Sequence, residues 1–168
     1  WEGLGKGRIY RFSDARFQDS ELVRETQQLL GGKWSEHDEF RLSQLLEHPD
    51  QRVRREAQFE LARREAFEAL DGMARHHQSL LARIHAIWGL EQRARRDVRR
   101  DAAVETFGEL LSDPEAEIRS QAARMLGELR DSIFDRQLSQ RLSDTSSRVR
   151  YMAARALGRN ASGIALKE

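Results

Sequence analysis

The sequence predicts an all-α fold, an α-solenoid of about four helix pairs, with a short N-terminal strand or extended segment. One observation is a residue pattern that recurs at intervals of roughly 30 to 36 residues, the range of helical-repeat proteins. Another is the spacing of the apolar residues in each copy, which follows one face of an α-helix. We therefore expect each copy to form one helix pair that buries its apolar face against its neighbours.

The repeated pattern marks the second helix of each pair. Three copies are clear, LLEHPDQRVRREAQFEL, LLSDPEAEIRSQAARML and RLSDTSSRVRYMAARAL, and a weaker copy, LARIHAIWGL, lies between the first two. In each copy an aliphatic residue or alanine, then an alanine, then a leucine stand four residues apart and share one helix face. The aligned columns are Val53, Ala82, Ile118 and Val149; Ala57, Ala86, Ala122 and Ala153; and Leu61, Leu90, Leu126 and Leu157. The four alanines of the middle column are expected to be buried.

The first helix of each pair has an apolar spacing of its own, which is clear in two copies. Its members are Phe40, Leu42, Leu45 and Leu46 in the first copy, and Val104, Phe107, Leu110 and Leu111 in the third. In the turn that follows, Asp113 and Asp144 lie five residues before the aliphatic column and are expected to cap the second helix. His48 and His77 occupy the same slot in the first two copies.

The N-terminal stretch WEGLGKGRIYRF differs from the rest of the chain. Residues Arg8 to Phe12 have the composition of a short strand, with Gly5 and Gly7 before it. Because a lone strand cannot satisfy its own backbone hydrogen bonds, it needs a partner outside the helical array.

The composition excludes several classes of function. Since 29 Lys and Arg stand against 28 Asp and Glu, the chain is not basic enough overall to bind nucleic acid through its net charge. The absence of cysteine excludes disulfides, thiolate catalysis, haem attachment through CxxC and cysteine-ligated zinc. No segment reaches the apolar length of a membrane span, so we expect no membrane insertion by this segment.

The pattern D-P-x-x-x-[VI]-R-x-x-A-x-x-x-L-G resembles HEAT and HEAT-like repeats over roughly residues 36–160. This resemblance implies helix pairs stacked in a right-handed solenoid. It also implies an inter-repeat ladder, in which the arginine after the aliphatic column bonds the turn aspartate of an adjacent repeat. The residues that match are Asp113, Asp144, Arg83, Arg119 and Arg150. His48 and His77 depart from the aspartate, so the ladder is least expected at that end.

A second resemblance concerns the junction between GKGRIYRF and the first repeat. It is similar to the region after the β-propeller in bacterial membrane-bound dehydrogenases that combine a propeller, HEAT-like repeats and a cytochrome c domain. The resemblance implies that residues 1–17 are an extended segment ending such a propeller. The repeats themselves predict a HEAT-like repeat domain over residues 18–160, and residues 161–168, which have the composition of a helix start, are expected to begin a further repeat. The resemblance also implies a periplasmic or cell-envelope location.

Candidate sites for chemistry are few. His76 and His77 are adjacent and point to different faces of a helix, so they do not share a metal easily. His85 neighbours the alanine column and is expected to be packed, and Trp34 and Trp88 are expected to fill gaps in the core. No catalytic motif for zinc proteolysis, serine hydrolysis or phosphate binding occurs. We therefore expect neither catalysis nor a cofactor.

One charged cluster, EQRARRDVRRD, admits two interpretations. In the first, its arginines form a solvated face that pairs with Glu91, Asp97 and Asp101. In the second, they form an anion-binding or phosphate-binding site, because guanidinium groups bind phosphate bidentately. The arginines are Arg93, Arg95, Arg96, Arg99 and Arg100. Acidic residues interleave with them and no aromatic residue is present to stack a base, which favours the first interpretation.

Two functions remain from the sequence. The chain is a non-catalytic scaffold whose partner is a protein or a neighbouring domain of the same chain, or it is a nucleic-acid or phosphate-binding solenoid that acts through the arginine cluster. The near-neutral charge favours the scaffold, and we do not expect nucleic acid as the partner.

Overall fold

The computed structural model describes residues 14, 16–17, 20–97 and 99–160. The chain forms two compact units, Trp1–Lys33 and Trp34–Glu168. The strand expected at Arg8 to Phe12 and the further repeat expected from residue 161 lie outside the described residues. Within the described residues all regular structure is helical, as predicted.

Nine α-helices occur in the described part of the chain. The first unit contains α1 (Glu21–Gly31), whose N-terminus is capped by Ser20 through a hydrogen bond from the amide of Val23. The second unit contains the other eight, which are α2 (Glu39–Leu45), α3 (Gln51–Arg63), α4 (Phe67–His76), α5 (Leu80–Ala94), α6 (Arg100–Leu110), α7 (Ala116–Leu129), α8 (Asp135–Gln140) and α9 (Ser147–Arg159). Short 3-10 turns at Trp34–Glu36 and Arg141–Ser143 precede α2 and follow α8.

The eight helices of the second unit form four consecutive pairs, an α-solenoid. Each first helix (α2, α4, α6, α8) packs against the second helix that follows it (α3, α5, α7, α9). The second helices also pack in sequence order, α3 on α5, α5 on α7 and α7 on α9. This order of contacts is the nearest-neighbour stacking of a repeat protein.

The three aligned columns form the core between the helices, and the four alanines that were expected to be buried make up the middle column. All twelve residues of the columns are fully buried, with no exposed surface. In the first helix α2, Leu42, Leu45 and the following Leu46 are also buried. Phe40 was expected with them but is 72% exposed, because it lies in the first turn of α2 on the side opposite the core. The column residues therefore predict the buried face correctly, and the first-helix spacing fails at its first position.

A glycine beside the leucine column sets how closely the last two second helices approach. A Cβ at Gly127 would lie 2.7 Å from Cα and 2.9 Å from Cβ of Ala156 on α9. Both atoms belong to a helix that cannot yield locally, so a side chain here would push α7 and α9 apart. At Gly158, the same position in the next repeat, a Cβ would meet nothing within 4 Å.

We expect Gly127→Ala to lower the free energy of unfolding by about 1–2 kcal/mol, because overpacking outweighs the gain in helix propensity. Gly158→Ala, the matched control, gains the propensity without the clash and should raise stability by about 0.5–1 kcal/mol. Urea denaturation of both variants measures the difference. Equal stabilities for the two variants would show that α7 and α9 adjust without cost.

Among the described helices, none combines the length and the apolar composition that crossing a bilayer requires.

Candidate functional site

Two arginine–aspartate pairs join consecutive repeats of the second unit. Arg83 on α5 donates through both Nη atoms to the carboxylate of Asp113, and Nη1 lies 3.2 Å from Oδ1. Arg119 on α7 donates to Asp144 through Nε and Nη2, each at 2.8 Å from a carboxylate oxygen. The side chains of Asp113 and Asp144 are 8% and 4% exposed. Both pairs are bidentate and nearly buried, a geometry that fixes the position of one repeat on the next.

The ends of this row of arginines differ from its middle. Arg150 on α9 donates to the backbone oxygens of Asp144 and Thr145, at 2.9 and 3.2 Å, and not to a carboxylate. Arg54 on α3, in the first repeat, donates through Nε to Nε2 of His85 at 3.1 Å. It does not bond His77, which occupies in the second repeat the turn position that an aspartate occupies in the third and fourth. The structure therefore brings four of the five predicted ladder residues together as two pairs, whereas the partners of Arg150 among the described residues are backbone oxygens.

The arginines also bond the turn that precedes their own helix. Arg119 donates to the oxygens of Asp113 and Pro114, both at 2.9 Å. Arg54 donates to those of His48 and Pro49, at 2.6 and 2.8 Å. Both guanidinium groups thus hold their own turn with Nη1, while Arg119 reaches the next repeat with Nε and Nη2 and Arg54 reaches it with Nε.

The turn aspartates were expected to cap the second helices, and this expectation is wrong. The N-cap residues of α7 and α9 are Glu115 and Ser146, and neither helix has a side-chain cap. Asp113 and Asp144 instead accept the amide hydrogen of these N-cap residues, at 2.9 Å each. The side chains therefore tighten the turn one residue before the helix begins, while both oxygens of each carboxylate also accept from arginine.

The two histidines at the turn position, His48 and His77, form the same bond within the turn that Asp113 and Asp144 form. Nδ1 of His48 accepts the amide of Asp50 at 3.0 Å, and Nδ1 of His77 accepts the amide of Ser79 at 3.0 Å. An imidazole nitrogen thus replaces one carboxylate oxygen in the turn. Its ring has no second oxygen with which to chelate a guanidinium, which explains why Arg54 bonds elsewhere.

His85 is buried, as expected, at the contact between α3 and α5. Its Nδ1 lies 2.8 Å from Oε1 of Gln58, and its ring meets Trp88 edge to face at 5.0 Å between centroids. Because Arg54 donates to Nε2, the ring is neutral with its hydrogen on Nδ1, directed at Gln58. Burial and then the charge of Arg54 lower the pKa of His85 from 6.5 to about 4.

The five clustered arginines do not form one surface. Arg93 is 3% exposed and donates to the backbone oxygen of Ala62 at 3.1 Å. Arg99 pairs with Glu68 and lies over the ring of Phe67, 4.9 Å from its centroid. The side chains of the other three also diverge: Arg95 pairs with Glu91 and approaches Glu128 at 3.4 Å, Arg100 donates to the oxygen of Leu129 at 2.7 Å, and Arg96 is exposed to solvent. Neighbours in sequence thus contact α3, α4, α5 and α7 separately.

A groove runs along the exposed side of the second helices, with a volume of about 300 Å³. Trp88 lines it and is half-buried, so the expectation that this side chain fills the core is wrong. Its Nε1 donates to Oε1 of Gln121 on α7 at 3.0 Å, which holds the indole across the α5–α7 contact. The groove is lined by Gln58 of α3, by Trp88, Glu91 and Gln92 of α5, by Arg95 directly after α5, and by Arg124, Met125 and Glu128 of α7. Trp34, the other predicted core residue, is also half-buried.

Most charges at this groove are paired. Glu128 contacts Arg95 at 3.4 Å, Arg155 at 3.5 Å and Arg159 at 2.5 Å. Burial opposes its ionisation, but the bond from Arg159 and the three positive charges together lower the pKa of Glu128. Arg124 is exposed, and no described residue forms a hydrogen bond or ion pair with its side chain. One guanidinium therefore faces solvent at the edge of an otherwise neutralised groove.

The described residues include no group of three His, Asp or Glu side chains arranged to hold a metal ion. What they offer is a half-buried aromatic side chain, amide groups and an exposed guanidinium in one concave region. These groups provide apolar contact area and hydrogen-bonding atoms and, among the described residues, no three-residue group for metal coordination.

The comparisons with known proteins agree with the architecture. The family described as HEAT repeats matches residues 68–158. Among solved structures, an engineered protein from the Northeast Structural Genomics Consortium is 24% identical with a TM-score of 0.53, and the match covers 76% of this chain. The match spans 64% of the length of that engineered protein, and at this identity it shows the fold alone. No curated protein matches the chain.

Proposed function

Because the chain belongs to the HEAT repeat family, we propose that it is a non-catalytic scaffold that docks a protein, or a neighbouring domain of its own chain, on its second helices. HEAT repeats generally serve as protein-interaction scaffolds. The docking surface proposed for this chain is the exposed side of α3, α5, α7 and α9, here called the second-helix face.

The observation that carries this proposal is the groove beside Trp88. A tryptophan that is half-buried before any partner binds is already held in one orientation, here by Gln121 and by the edge of His85. Such a side chain loses little conformational freedom on binding, and tryptophan is enriched among residues that dominate binding energy. The groove therefore supplies an anchor position in the middle of the row of second helices.

Aromatic character continues on the second-helix face toward the first repeat. Phe59 on α3 occupies the position that Trp88 occupies on α5, and its side chain is 44% exposed. On α7 and α9 the same position holds Arg124 and Arg155. The face thus changes from aromatic to cationic along the repeats, which gives a docked segment a preferred direction.

We also propose a context for the scaffold, a larger bacterial oxidoreductase-like protein with a β-propeller before the repeats and a cytochrome c domain after them. This proposal rests on the resemblance of GRIYR and the repeat that follows it to the junction in such proteins. The reading frame of the parent gene tests it. An encoded propeller upstream and a CxxCH motif downstream support it, and their absence from a complete frame rejects it.

A peptide selection tests the scaffold proposal. Random peptides of about twelve residues displayed on phage are selected against the chain, and enriched peptides are titrated into the ¹⁵N-labelled protein. We expect amide shifts on the second-helix face and a shift of the Trp88 indole signal, which is assigned by its loss in Trp88→Phe. Failure to enrich any peptide, or shifts confined to α2, α4 and α6, would reject the proposal.

Two exposed phenylalanines provide a matched pair of variants for the same measurement. Phe59→Ser changes the second-helix face, whereas Phe40→Ser changes the first helix α2, where the side chain is 72% exposed. We expect Phe59→Ser to weaken the enriched peptides about fivefold or more, the effect of removing a contributing interface side chain. Phe40→Ser should leave their affinity unchanged.

A further inference from the structure

We propose that the groove beside Trp88 binds an acidic peptide segment, with an apolar side chain of that segment against Trp88 and a carboxylate on Arg124. This inference rests on the scaffold function and specifies the chemistry of its partner. Three features of the groove carry it, and each concerns a different part of the bound segment.

The apolar part of the segment is set by the walls of the groove. Trp88 presents an indole that is not fully covered, and Met125 of α7, which is 2% exposed, forms the floor beside it. An indole face and a thioether adapt to aliphatic and aromatic side chains alike. The volume of about 300 Å³ is at the small end of binding pockets and is suited to one side chain and its flanking backbone.

The acidic part of the segment is set by Arg124. Every other charged residue that lines the groove already has a partner of opposite sign, since Glu91 pairs with Arg95 and Glu128 with three arginines. Arg124 has no such partner among the described residues, and its guanidinium offers a bidentate site for a carboxylate. Among the charged residues that line the groove, Arg124 is thus the one that can accept a negative charge from a bound segment.

The net charge around the groove is positive, like that of Arg124 itself. Arg95, Arg124, Arg155 and Arg159 stand against Glu91 and Glu128, an excess of two positive charges on a chain whose net charge is only +1. Complementary charge steers association and selects the sign of the partner. A chain of net charge +1, with one guanidinium at the groove that is unpaired within the described residues, offers few contacts to a continuous phosphate backbone, which favours a peptide over nucleic acid.

The backbone of the segment finds a partner in the side-chain amide of Gln92. Gln92 is half-buried at the groove, and its side-chain amide forms no hydrogen bond within the described residues. Gln58 is 3% exposed and uses Oε1 for His85, so it does not offer a second amide. Amide groups donate to and accept from the main chain of an extended peptide without regard to its sequence. Together the lining recognises an apolar side chain, a carboxylate and a backbone.

The test compares three pools of synthetic peptides of about nine residues, each with Leu or Phe at the centre. The flanking positions hold Asp and Glu, Asn and Gln, or Lys and Arg, and both ends are blocked to remove terminal charges. Binding is measured by the fluorescence anisotropy of a labelled peptide and by the change in the indole signal of Trp88. We expect the acidic pool to shift that signal and to bind about tenfold tighter than the neutral pool.

Arg124→Gln should weaken the acidic pool about tenfold and leave the neutral pool unchanged. Arg136→Gln on α8 is the matched control, because Arg136 is exposed, has no described ion-pair partner and carries the same charge. It should leave all three pools unchanged. Unchanged thermal melting of both variants shows that the fold is intact.

Other outcomes overturn the inference. Equal or tighter binding of the neutral or basic pool at the Trp88 signal, or no effect of Arg124→Gln, rejects the acidic partner while the scaffold proposal stands. No binding of any pool also rejects the inference, and the phage selection then decides the scaffold proposal on its own. A DNA duplex that binds tighter than the acidic pool, and loses affinity in Arg124→Gln, assigns the groove to nucleic acid instead.

Discussion

Replacement of Arg119 by glutamine is expected to lower the free energy of unfolding by about 3 kcal/mol, the low end of the cost of breaking a buried ion pair, because Asp144 keeps Arg141 at 3.8 Å. Arg119 holds Asp144 through two bonds of 2.8 Å, and the aspartate side chain is only 4% exposed. Without the guanidinium, a carboxylate stays buried at the contact between the third and fourth repeats. Loss of the guanidinium should therefore weaken the contact between the two repeats as well as the helix that carries Arg119.

Arg150→Gln is the matched control for this variant. Arg119 and Arg150 occupy the same position in successive repeats, and each donates to the two backbone oxygens of its own turn. Of the two, and within the part of the chain that the structure describes, only Arg119 also reaches a carboxylate of the next repeat. The difference between the two variants in urea denaturation therefore measures the inter-repeat pair, and equal losses would show that desolvation cancels it.

The same pair predicts a dependence on acid pH. The bond from Arg119 lowers the pKa of Asp144 below its ordinary value of 3.8, despite burial, which opposes ionisation. A carboxyl group whose pKa is lowered on folding stabilises the folded chain above the unfolded pKa and loses this contribution as the pH falls. Below about pH 4, the stabilities of the wild type and Arg119→Gln should therefore converge.

The core could be predicted from the sequence because its determinants are local. A spacing of four residues places Val53, Ala57 and Leu61 on one face of any α-helix, and the repetition of this face identified the stacking surface. The spacing of the arginine and the turn aspartate was equally readable, because both lie close to a fixed helix start. These features require no knowledge of which residues meet across repeats.

The groove could not be predicted in this way. Trp88 has the sequence environment of a core residue, but its position depends on Gln121, which lies 33 residues away on the next second helix. The partner of Arg54 is likewise His85, 31 residues away, and not the turn histidine of that repeat. Contacts between repeats depend on the lateral register of two helices, which a pattern within one helix does not specify.

The five arginines of the cluster do not share one surface, and the reason lies in the backbone. The helix α5 ends at Ala94, and Asp97 and Arg99 adopt left-handed backbone conformations, with φ of 62° and 53°. Two such residues reverse the chain direction within a few positions, so arginines that are adjacent in sequence point to different helices. A count of charges in a window contains no information about this reversal.

Acidification from pH 7 to pH 4.5 is expected to lower the free energy of unfolding by about 2–3 kcal/mol through His85 alone. In the folded chain the pKa of this imidazole is lowered from 6.5 to about 4, first by burial and then by the charge of Arg54. The unfolded chain therefore binds a proton in this interval that the folded chain does not. Stability is greatest above the unfolded pKa and falls as the pH approaches the folded value.

The hydrogen bonds of His85 explain why protonation is costly. Its Nε2 accepts from the guanidinium of Arg54 at 3.1 Å while its Nδ1–H is directed at Gln58, so both nitrogen atoms are used by the neutral ring. A second proton would occupy Nε2 and face a positively charged donor. The ring also supports Trp88 edge to face, so its protonation should change the indole signal at the groove.

His85→Gln separates this effect from the titration of carboxylates. A glutamine amide can accept from Arg54 and donate to Gln58 but does not titrate, so the variant should lose less stability than the wild type between pH 7 and pH 4.5. His76→Gln is the matched control, because His76 is exposed at the end of α4, and it should follow the wild-type profile. Urea denaturation at several pH values measures all three chains. Parallel profiles for His85→Gln and the wild type would mean that His85 becomes protonated in the folded chain without cost.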